Sequence, residues 1–190
     1  IPITQEQKEI IFGTLLGDGN LRFNNSKISV FGRMNHSIKQ KEYIMYKRNL
    51  LKNLTSEVKP YISKTKNCFY NSLYFTFKSN VQLNKFYYSF YKEGIKIIPE
   101  DLSLLTPRAM AIWFMDDGTA SNPSIRIATC SFTKEDLQRL CAYLFNTYKL
   151  NVTIHSENKL YFKAESARRF KQLILPYMTD SMMYKLKFVK

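Results

Sequence analysis

Two uninterrupted apolar runs, each closed by Asp-Gly, stand out in a chain whose other segments mostly alternate between apolar and polar residues. They are residues 11–19 (IFGTLLGDG) and residues 110–118 (MAIWFMDDG). Neither run has the period-two alternation of a half-buried strand, and each follows helix-start signals and is closed by glycine. The pattern therefore predicts two buried helices, each with a glycine C-cap.

The acid near the end of each predicted helix is unusual. Asp18 and Asp117 would face the negative end of the helix macrodipole, at a cost of a few tenths up to about 1 kcal/mol, where Lys or Arg is preferred. Either run alone is more typical of a core helix that ends in a solvated turn. Two acids in matching places ask for a reason, and a bound cation is the simplest one.

The two acids lie about half a chain length apart in 190 residues, which predicts a duplicated half. If a pseudo-two-fold axis relates the halves, the apolar helices can pack on each other at that axis. Gly13 and Gly17, one turn apart, leave a smooth stripe for close approach, and Asp18 and Asp117 then emerge side by side. Paired carboxylates suit hard divalent cations, and two metals a few ångströms apart serve in-line phosphodiester displacement.

The rest of the pattern predicts the same order of elements twice. The first half has a helix from Thr4 to about Asp18, a hairpin over residues 21–31, a helix begun by the capping box Ser37 and Gln40, strands over 58–66 and 68–78, and a helix over 80–92. The second half starts with the second apolar helix, which Thr106 and Pro107 begin. A strand over 125–129, a helix begun by Thr133, strands over 151–154 and 159–165, and a last helix begun by Ser166 follow it.

We therefore predict an α+β fold of two pseudo-symmetric αββαββα halves. Residues 1–93 form the first half, 94–105 the linker and 106–190 the second half. Each half has a four-stranded antiparallel sheet with helices on one face, and the two motif helices join the halves. The other face of each sheet is polar and can enter the major groove of DNA, where base pairs are distinguishable.

The charge balance indicates a polyanionic partner. The chain has 29 Lys and Arg against 15 Asp and Glu, a net charge of +14 and a pI near 9.7, which favours nucleic acid. Three cysteines without a C-x-x-C pair argue against structural zinc and a disulfide scaffold. With two histidines, a His-centred nuclease and a Ser-His-Asp hydrolase are disfavoured. No apolar run approaches the roughly 18 residues that a bilayer span needs.

Both runs resemble the signature motif of the LAGLIDADG homing endonucleases, and WFMDDG at residues 113–118 is similar to the form in single-chain members encoded within organellar introns. The resemblance covers nearly the whole chain. It includes HSIKQKEY at residues 36–43, KIIP at residues 96–99 and MMYKL at residues 182–186. It implies saddle-shaped sheets and a metal-dependent DNA endonuclease.

The resemblance also implies which residues act. Asp18 and Asp117 would hold the metals, with the backbone carbonyls of Gly17 and Asp116 as further ligands. Lys96 and Lys185 match the lysine of each half that supplies positive charge near the attacking water. The expected metal is Mg²⁺, with Mn²⁺ substituting and Ca²⁺ binding without cleavage. Aligning Asp-Gly with Asp-Gly selects Asp117 as the acid, so we expect the Asp116 side chain to face solvent or a neighbouring base.

Polar residues of the predicted strands are the candidates for contact with DNA, although any single one is more often a solvated charge or a phosphate contact. Aromatic residues are expected mainly in the core. The candidates are Arg22, Asn24, Lys27, Ser29, Arg33, Lys64, Lys66, Lys78, Arg126 and Lys163.

Two positions depart from the family pattern. Ile112 stands where a small residue would bring the helices closest, so the helix contact should be less symmetric than in a homodimer. Cys130 stands where related chains often have Gln, a residue that orders water at the active site. The second half is therefore expected to cut more weakly, with one strand nicked first.

The resulting prediction is a monomeric, divalent-metal-dependent endonuclease that makes a double-strand break at a long, rare DNA site, with an organellar location favoured. One alternative is a maturase that binds group I intron RNA on the same scaffold. Another is a DNA-binding regulator that does not cut, which the two acids and two lysines disfavour.

Overall fold

A computed structural model describes residues 2–64, 69–121, 123–187 and 189; the candidate Lys66 and Cys68 lie outside them. The α-helices are α1 Gln5–Leu16, α2 Lys41–Leu50, α3 Leu83–Phe90, α4 Pro107–Asp117, α5 Lys134–Tyr148 and α6 Ala164–Ile174. The strands are β1 Asn20–Phe23, β2 Val30–Ser37, β3 Lys59–Lys64, β4 Phe69–Asn80, β5 Tyr91–Lys92, β6 Ile95–Lys96, β7 Gly118–Ser121, β8 Ser124–Ile127, β9 Val152–Ile154 and β10 Leu160–Phe162.

Two four-stranded antiparallel sheets have the same strand order. The first sheet runs β1-β2-β4-β3 and the second β7-β8-β10-β9. In each, the two hairpins meet through their second and fourth strands, and a motif helix precedes the first strand. The prediction of an α+β fold with a repeated antiparallel sheet is confirmed. The half boundaries remain a prediction; the sheets themselves span residues 20–80 and 118–162.

Three predicted helix starts have the expected caps. Thr4 and Gln7 form a full capping box at α1, Thr106 caps α4 with Pro107 in the first turn, and Thr133 caps α5. These side chains satisfy amide groups that the first helical turn leaves unbonded.

Other predicted boundaries are wrong. Ser37 caps a 3₁₀ turn, Ile38–Gln40, rather than a helix, and Gln40 bonds to a histidine ring instead of completing a capping box. The last helix starts at Ala164, with Lys163 at the N-cap position, and the Ser166 hydroxyl accepts the Asn151 N–H instead of capping the helix. The helix predicted over residues 80–92 is limited to Leu83–Phe90.

The centre of the molecule is the contact between α1 and α4, whose side chains are buried on nearly all sides. A Cβ on Gly13 would overlap the carbonyl of Ala109 and approach Ile112. A Cβ on Gly17 would lie 2.6 Å from the Asp116 side chain. Gly13 on α1 thus faces the backbone of α4 beside Ile112, whereas Gly17, just past the end of α1, faces the Asp116 side chain, so the contact is close but unsymmetrical.

The acids of the two motifs lie at different positions relative to the ends of their helices. The last residue of α1 is Leu16, with Gly17 as its C-cap, so Asp18 lies beyond the helix rather than in its last turn. Asp117 is the last residue of α4, and Gly118 is its C-cap. Within the part of the chain described, no helix combines the length and apolar character needed to cross a bilayer.

Replacing Gly13 with alanine should destabilise the fold, because the added methyl group meets backbone of α4 rather than a side chain that can move. We expect a loss of about 1–3 kcal/mol, the usual cost of overpacking a core. Urea unfolding measures it. Gln5→Ala, at an exposed position of the same helix, should change the unfolding free energy by less than about 0.5 kcal/mol. Equal stability of Gly13→Ala and wild type would contradict the close contact.

Candidate active site

The two motif acids lie at one end of the α1–α4 helix pair. Asp18 follows α1 and its side chain is 43% exposed; Asp117 ends α4. Burial, followed by the negative charge of Asp18, raises the pKa of Asp117 from 3.8 to about 7. Burial and the charge of Asp116 raise the pKa of Asp18. The structure thus gathers acidic groups that repel one another, which is unfavourable without a cation.

One lysine from elsewhere in the chain donates hydrogen bonds to the backbone carbonyls of each motif. Lys96, at the end of β6, donates to the carbonyls of Gly17 and Gly19, both at 2.9 Å. Lys185 lies in a 3₁₀ helix, Asp180–Leu186, and donates to the carbonyls of Met115 at 2.7 Å and Asp116 at 3.0 Å. The two lysines therefore occupy matching places, one at the end of each motif.

Burial makes both lysines easier to deprotonate. It lowers the pKa of Lys96 from 10.5 to about 8, despite the opposing effect of the three acids Asp116, Asp117 and Asp18. It also lowers the pKa of Lys185. A lysine with a pKa near 8 can hold or give up a proton close to neutral pH.

The Asp116 side chain is buried, and the expectation that it faces solvent or a base is wrong. Its carboxylate is fully enclosed. Lys47 donates to its two oxygens at 2.8 and 2.9 Å, and the Tyr43 hydroxyl donates to Oδ1 at 2.7 Å. The reason is that the Asp116 side chain fills the space beside Gly17, where Lys47 and Tyr43, both on α2, bond to its carboxylate.

His36 lies between the acids. Its Nδ1 is 3.6 Å from Asp18 Oδ2 and 3.2 Å from Gln40 Oε1, and its Nε2 is 3.7 Å from Asp116 Oδ1. Burial, reinforced by the charge of Lys47, lowers the pKa of His36 from 6.5 to about 4, so the ring is neutral at pH 7. One ligand atom each from Asp18, His36 and Asp116 lie within 4.8 Å of one another.

The residues fit a hard divalent cation. Among the described residues, no hydrogen bond reaches the carboxylate of Asp18 or Asp117, so their oxygens are available. A carbonyl has two lone pairs, so Gly17 and Asp116 can each accept a lysine and still ligate a metal through oxygen, the donor that Mg²⁺ and Ca²⁺ require. The carboxylate of Asp116 is already neutralised by Lys47, which makes it a poor ligand.

Four of the predicted DNA-contacting residues lie on strands and point away from the helices. In the first sheet Arg22 pairs with Phe31, Arg33 with Thr76, and Lys78 continues the alternation beyond Phe77. In the second sheet Arg126 pairs with Thr119 and Tyr161. The face opposite the core thus presents positive charge in both sheets.

Aromatic rings hold several of these cations. The Arg33 guanidinium lies 3.9 Å from the ring centre of Tyr74 and 4.6 Å from that of Tyr61. Its buried Nη2 has no partner among the described residues. Arg22 lies over Phe31 at 4.7 Å. Such contacts fix the direction of the cation and reduce the entropy lost when it binds an acceptor.

Other candidates do not lie on that face. Asn24, Lys27 and Ser29 lie in the connection between β1 and β2, where the Asn24 side chain accepts the Ile28 and Ser29 amides and shapes the turn. Lys64 has the register of Ile62, on the opposite face of β3. Lys163 follows β10 and is the N-cap of α6.

The sequence interpretation missed two groups of residues. One is the buried set His36, Tyr43 and Lys47; the signal was a lysine at a position of α2 where the helical period requires an apolar residue, one turn after Tyr43 and Ile44. The other is the aromatic lining of the outer sheet faces, since we assigned most aromatic residues to the core. Its members are Phe31, Tyr61, Tyr74 and Tyr161.

The sequence of this chain is similar to those of known proteins. The model of the LAGLIDADG DNA endonuclease family matches residues 8–170. Protein RecA of Mycobacterium shimoidei is 31% identical over 97% of this chain and 47% of that protein. The cytochrome b mRNA maturase bI2 of Saccharomyces cerevisiae is 31% identical over 97% of this chain and 48% of that protein. The chain thus spans about half the length of these two curated relatives.

Two further proteins match nearly end to end. DNA endonuclease I-ChuI of Chlamydomonas applanata is 28% identical over 97% of this chain and 95% of that protein. The structure of the homing endonuclease I-WcaI bound to its DNA recognition sequence matches with a TM-score of 0.90, at 24% identity, over 100% of this chain and 89% of that one. This likeness confirms the fold.

The raised pKa of Asp117 predicts a stability that depends on pH. Because the folded state binds this proton more tightly than the unfolded state, its contribution is fully present below about pH 4 and is lost as the pH rises to about 7. In EDTA at pH 8, Asp117→Asn should therefore raise Tm by about 2–4 °C, the shift for roughly 1 kcal/mol in a chain of this size.

Thermal unfolding followed by circular dichroism at pH 4 and pH 8 measures this difference. The gain should shrink at pH 4, where the wild-type group is protonated. Asp101→Asn is the control, because Asp101 accepts the Ser103 amide and its pKa is lowered instead, so it should give no gain at pH 8. An equal gain from both variants would contradict the electrostatic cause.

Proposed function

Because the chain belongs to the LAGLIDADG DNA endonuclease family, we propose that it is a homing endonuclease that hydrolyses phosphodiester bonds in both strands of a long DNA site with divalent metal. It acts as a monomer, since one chain contains both motifs. Mg²⁺ is the working metal, Mn²⁺ substitutes for it, and Ca²⁺ binds without supporting cleavage.

One observation carries the proposal: two acids and two lysines from distant parts of the chain meet at the end of the α1–α4 pair. The charges of Asp18 and Asp117 both act on Lys96 and on Lys185. Lys96 donates to a backbone carbonyl of the first motif and Lys185 to one of the second. A core helix pair has no need for such a concentration of charge, whereas phosphodiester cleavage does.

The side chains have distinct roles in this reaction. Asp18 and Asp117, with the carbonyls of Gly17 and Asp116, would hold divalent metal. When bound, the metal would polarise the scissile phosphate and lower the pKa of a water molecule bound to it. Lys96 and Lys185 place positive charge where negative charge develops, and the lowered pKa of Lys96, about 8, also allows it to exchange a proton near neutral pH.

The outer faces of the two sheets bind the DNA. Arg22, Arg33 and Lys78 in the first sheet and Arg126 in the second line these faces. The net charge of +14 supplies the phosphate contacts that dominate affinity. Binding should therefore weaken steeply as salt is raised.

A second candidate function is that of an RNA-binding maturase acting on group I intron RNA. The similarity to the cytochrome b mRNA maturase bI2 supports it. The same similarity supports an organellar location. Retention of both acids and both lysines favours cleavage as the main activity, and it disfavours a regulator that only binds DNA.

Cleavage selection on a randomised duplex library with Mg²⁺ tests the proposal. We expect double-strand cuts at one site, lowered by at least about 100-fold in Asp18→Asn and in Asp117→Asn, because each removes the charge that holds the metal. Asp101→Asn, which changes an exposed acid outside the site, should cut like wild type.

Retention of the duplex in Ca²⁺ distinguishes loss of chemistry from loss of folding. Both active-site variants should still bind the selected duplex. If wild-type protein cuts no duplex with Mg²⁺ or Mn²⁺ yet binds group I intron RNA, the endonuclease proposal is wrong and the maturase is favoured. Duplex retention without cutting would favour the regulator.

Arg33 should specify one base. Its guanidinium lies 4.6 Å or less from the ring centres of two tyrosines, Tyr61 and Tyr74, on the outer face of the sheet, and Arg typically makes a bidentate contact with guanine. In Arg33→Ala the selected site should lose its preference at one position, a change of about 1–3 kcal/mol in discrimination. Arg168→Ala, on an exposed position of α6, should keep the preference at every position. Unchanged preference in Arg33→Ala would assign Arg33 to the phosphates.

A further inference from the structure

Lys47 and Tyr43 of α2 form a buried cluster with Asp116 that is not repeated at the matching positions of α5. The seventh residue of α2 is Lys47 and the seventh residue of α5 is Leu140, and both are fully buried. The third residue is Tyr43 in α2, which donates to Asp116, but Asp136 in α5, which pairs with Arg139. The first half thus places a cation and a hydroxyl where the second half has a leucine and a surface ion pair.

Stability alone does not explain this difference. A buried ion pair costs the desolvation of both groups, and an apolar pair of similar volume is often as good or better. Leu140 shows that the corresponding position accepts an apolar side chain in this fold. The Lys47–Asp116 pair therefore calls for a role in the site.

The geometry indicates what the pair holds. Past the end of α1, the Gly17 amide bonds to Gly13 O at 3.2 Å and the Gly19 amide to Thr14 O at 2.8 Å. The amide between them, that of Asp18, instead points at Asp116 Oδ2, at 3.4 Å. The Asp116 side chain also fills the space that Gly17 leaves open.

We propose that Asp116, clamped by Lys47 and Tyr43, is a positioning residue that reaches from the second motif to fix Asp18 of the first, and so makes the two half-sites inequivalent. The reverse contact cannot form, because the residue before Asp18 is Gly17. Asp117 needs no such support, since it lies within the last turn of α4. The consequence for cleavage rests on the proposed endonuclease function; the contact itself does not.

Two variants weaken the clamp without changing its shape. Tyr43→Phe removes the hydroxyl that holds Asp116, and Asp116→Asn removes the charge that attracts the Asp18 amide. Because Asp116→Asn leaves Lys47 buried without its partner, Lys47→Leu combined with Asp116→Asn provides a neutral version that copies Leu140. Tyr46→Phe is the control, as Tyr46 lies on the same helix next to Arg108 and Glu6 rather than Asp116.

The first measurement is the ¹H–¹⁵N resonance of the Asp18 amide in the protein alone, which needs no activity. The second is single-turnover cleavage of the selected duplex, with each strand labelled separately. We expect the clamp variants to move the Asp18 resonance and to slow one strand at least about tenfold more than the other, as misplacement of a single catalytic group does. Tyr46→Phe should change neither.

An unmoved Asp18 resonance in the clamp variants would overturn the proposal, and so would an equal loss of rate on both strands. If wild type cuts no duplex, the endonuclease function fails, while the Asp18 resonance still decides whether Asp116 positions Asp18. In that case a shifted resonance would still support the contact between Asp116 and the Asp18 amide.

Discussion

The close contact between α1 and α4 is the constraint on which the rest of the structure depends. Beyond the exposed first turn of α1, neither helix has a polar face to turn towards solvent, so each is buried against the other and the two sheets. Gly13 lets the backbones meet. Once the helices are in contact, the residues that end them must lie together, and the acids of both motifs are brought into one site.

That site concentrates charge at a cost. Asp18, Asp116 and Asp117 are balanced by Lys47, Lys96 and Lys185, and burial opposes the charged forms of both motif acids and of Lys96 and Lys185. Apolar residues of similar volume are often as stable as a buried ion pair or more stable. The hydrophobic core on either side of the helix pair supplies the stability that the site gives up, a common trade between stability and function.

The two sheets share one strand order, but the parts of the chain that carry them are not equivalent. Both have the same strand order and one lysine on the motif carbonyls. They differ where α1 meets α4, because the glycines Gly13 and Gly17 both come from the first motif. They differ also at Lys47, whose matching position in α5 is a leucine. A single chain can keep such differences, because each half folds against one fixed partner.

The sequence by itself determined the repeated order of elements and the two motif helices, because apolar runs, caps and matching motifs are local signals. It also put forward Asp18, Asp117, Lys96 and Lys185 as site residues, which the structure brings close enough for their charges to interact. It placed Asn24 and Lys64 wrongly, since the turn and the register that decide their directions depend on pairing between strands. Only the tertiary structure decided that the Asp116 side chain is buried and which residues it contacts. In the sequence it is one of two adjacent acids, and its burial depends on Lys47 and Tyr43, about 70 residues away. Lys47 interrupts the apolar period of α2, but this local signal does not identify the distant acid that the lysine binds, so its contact with Asp116 could not be predicted from the sequence.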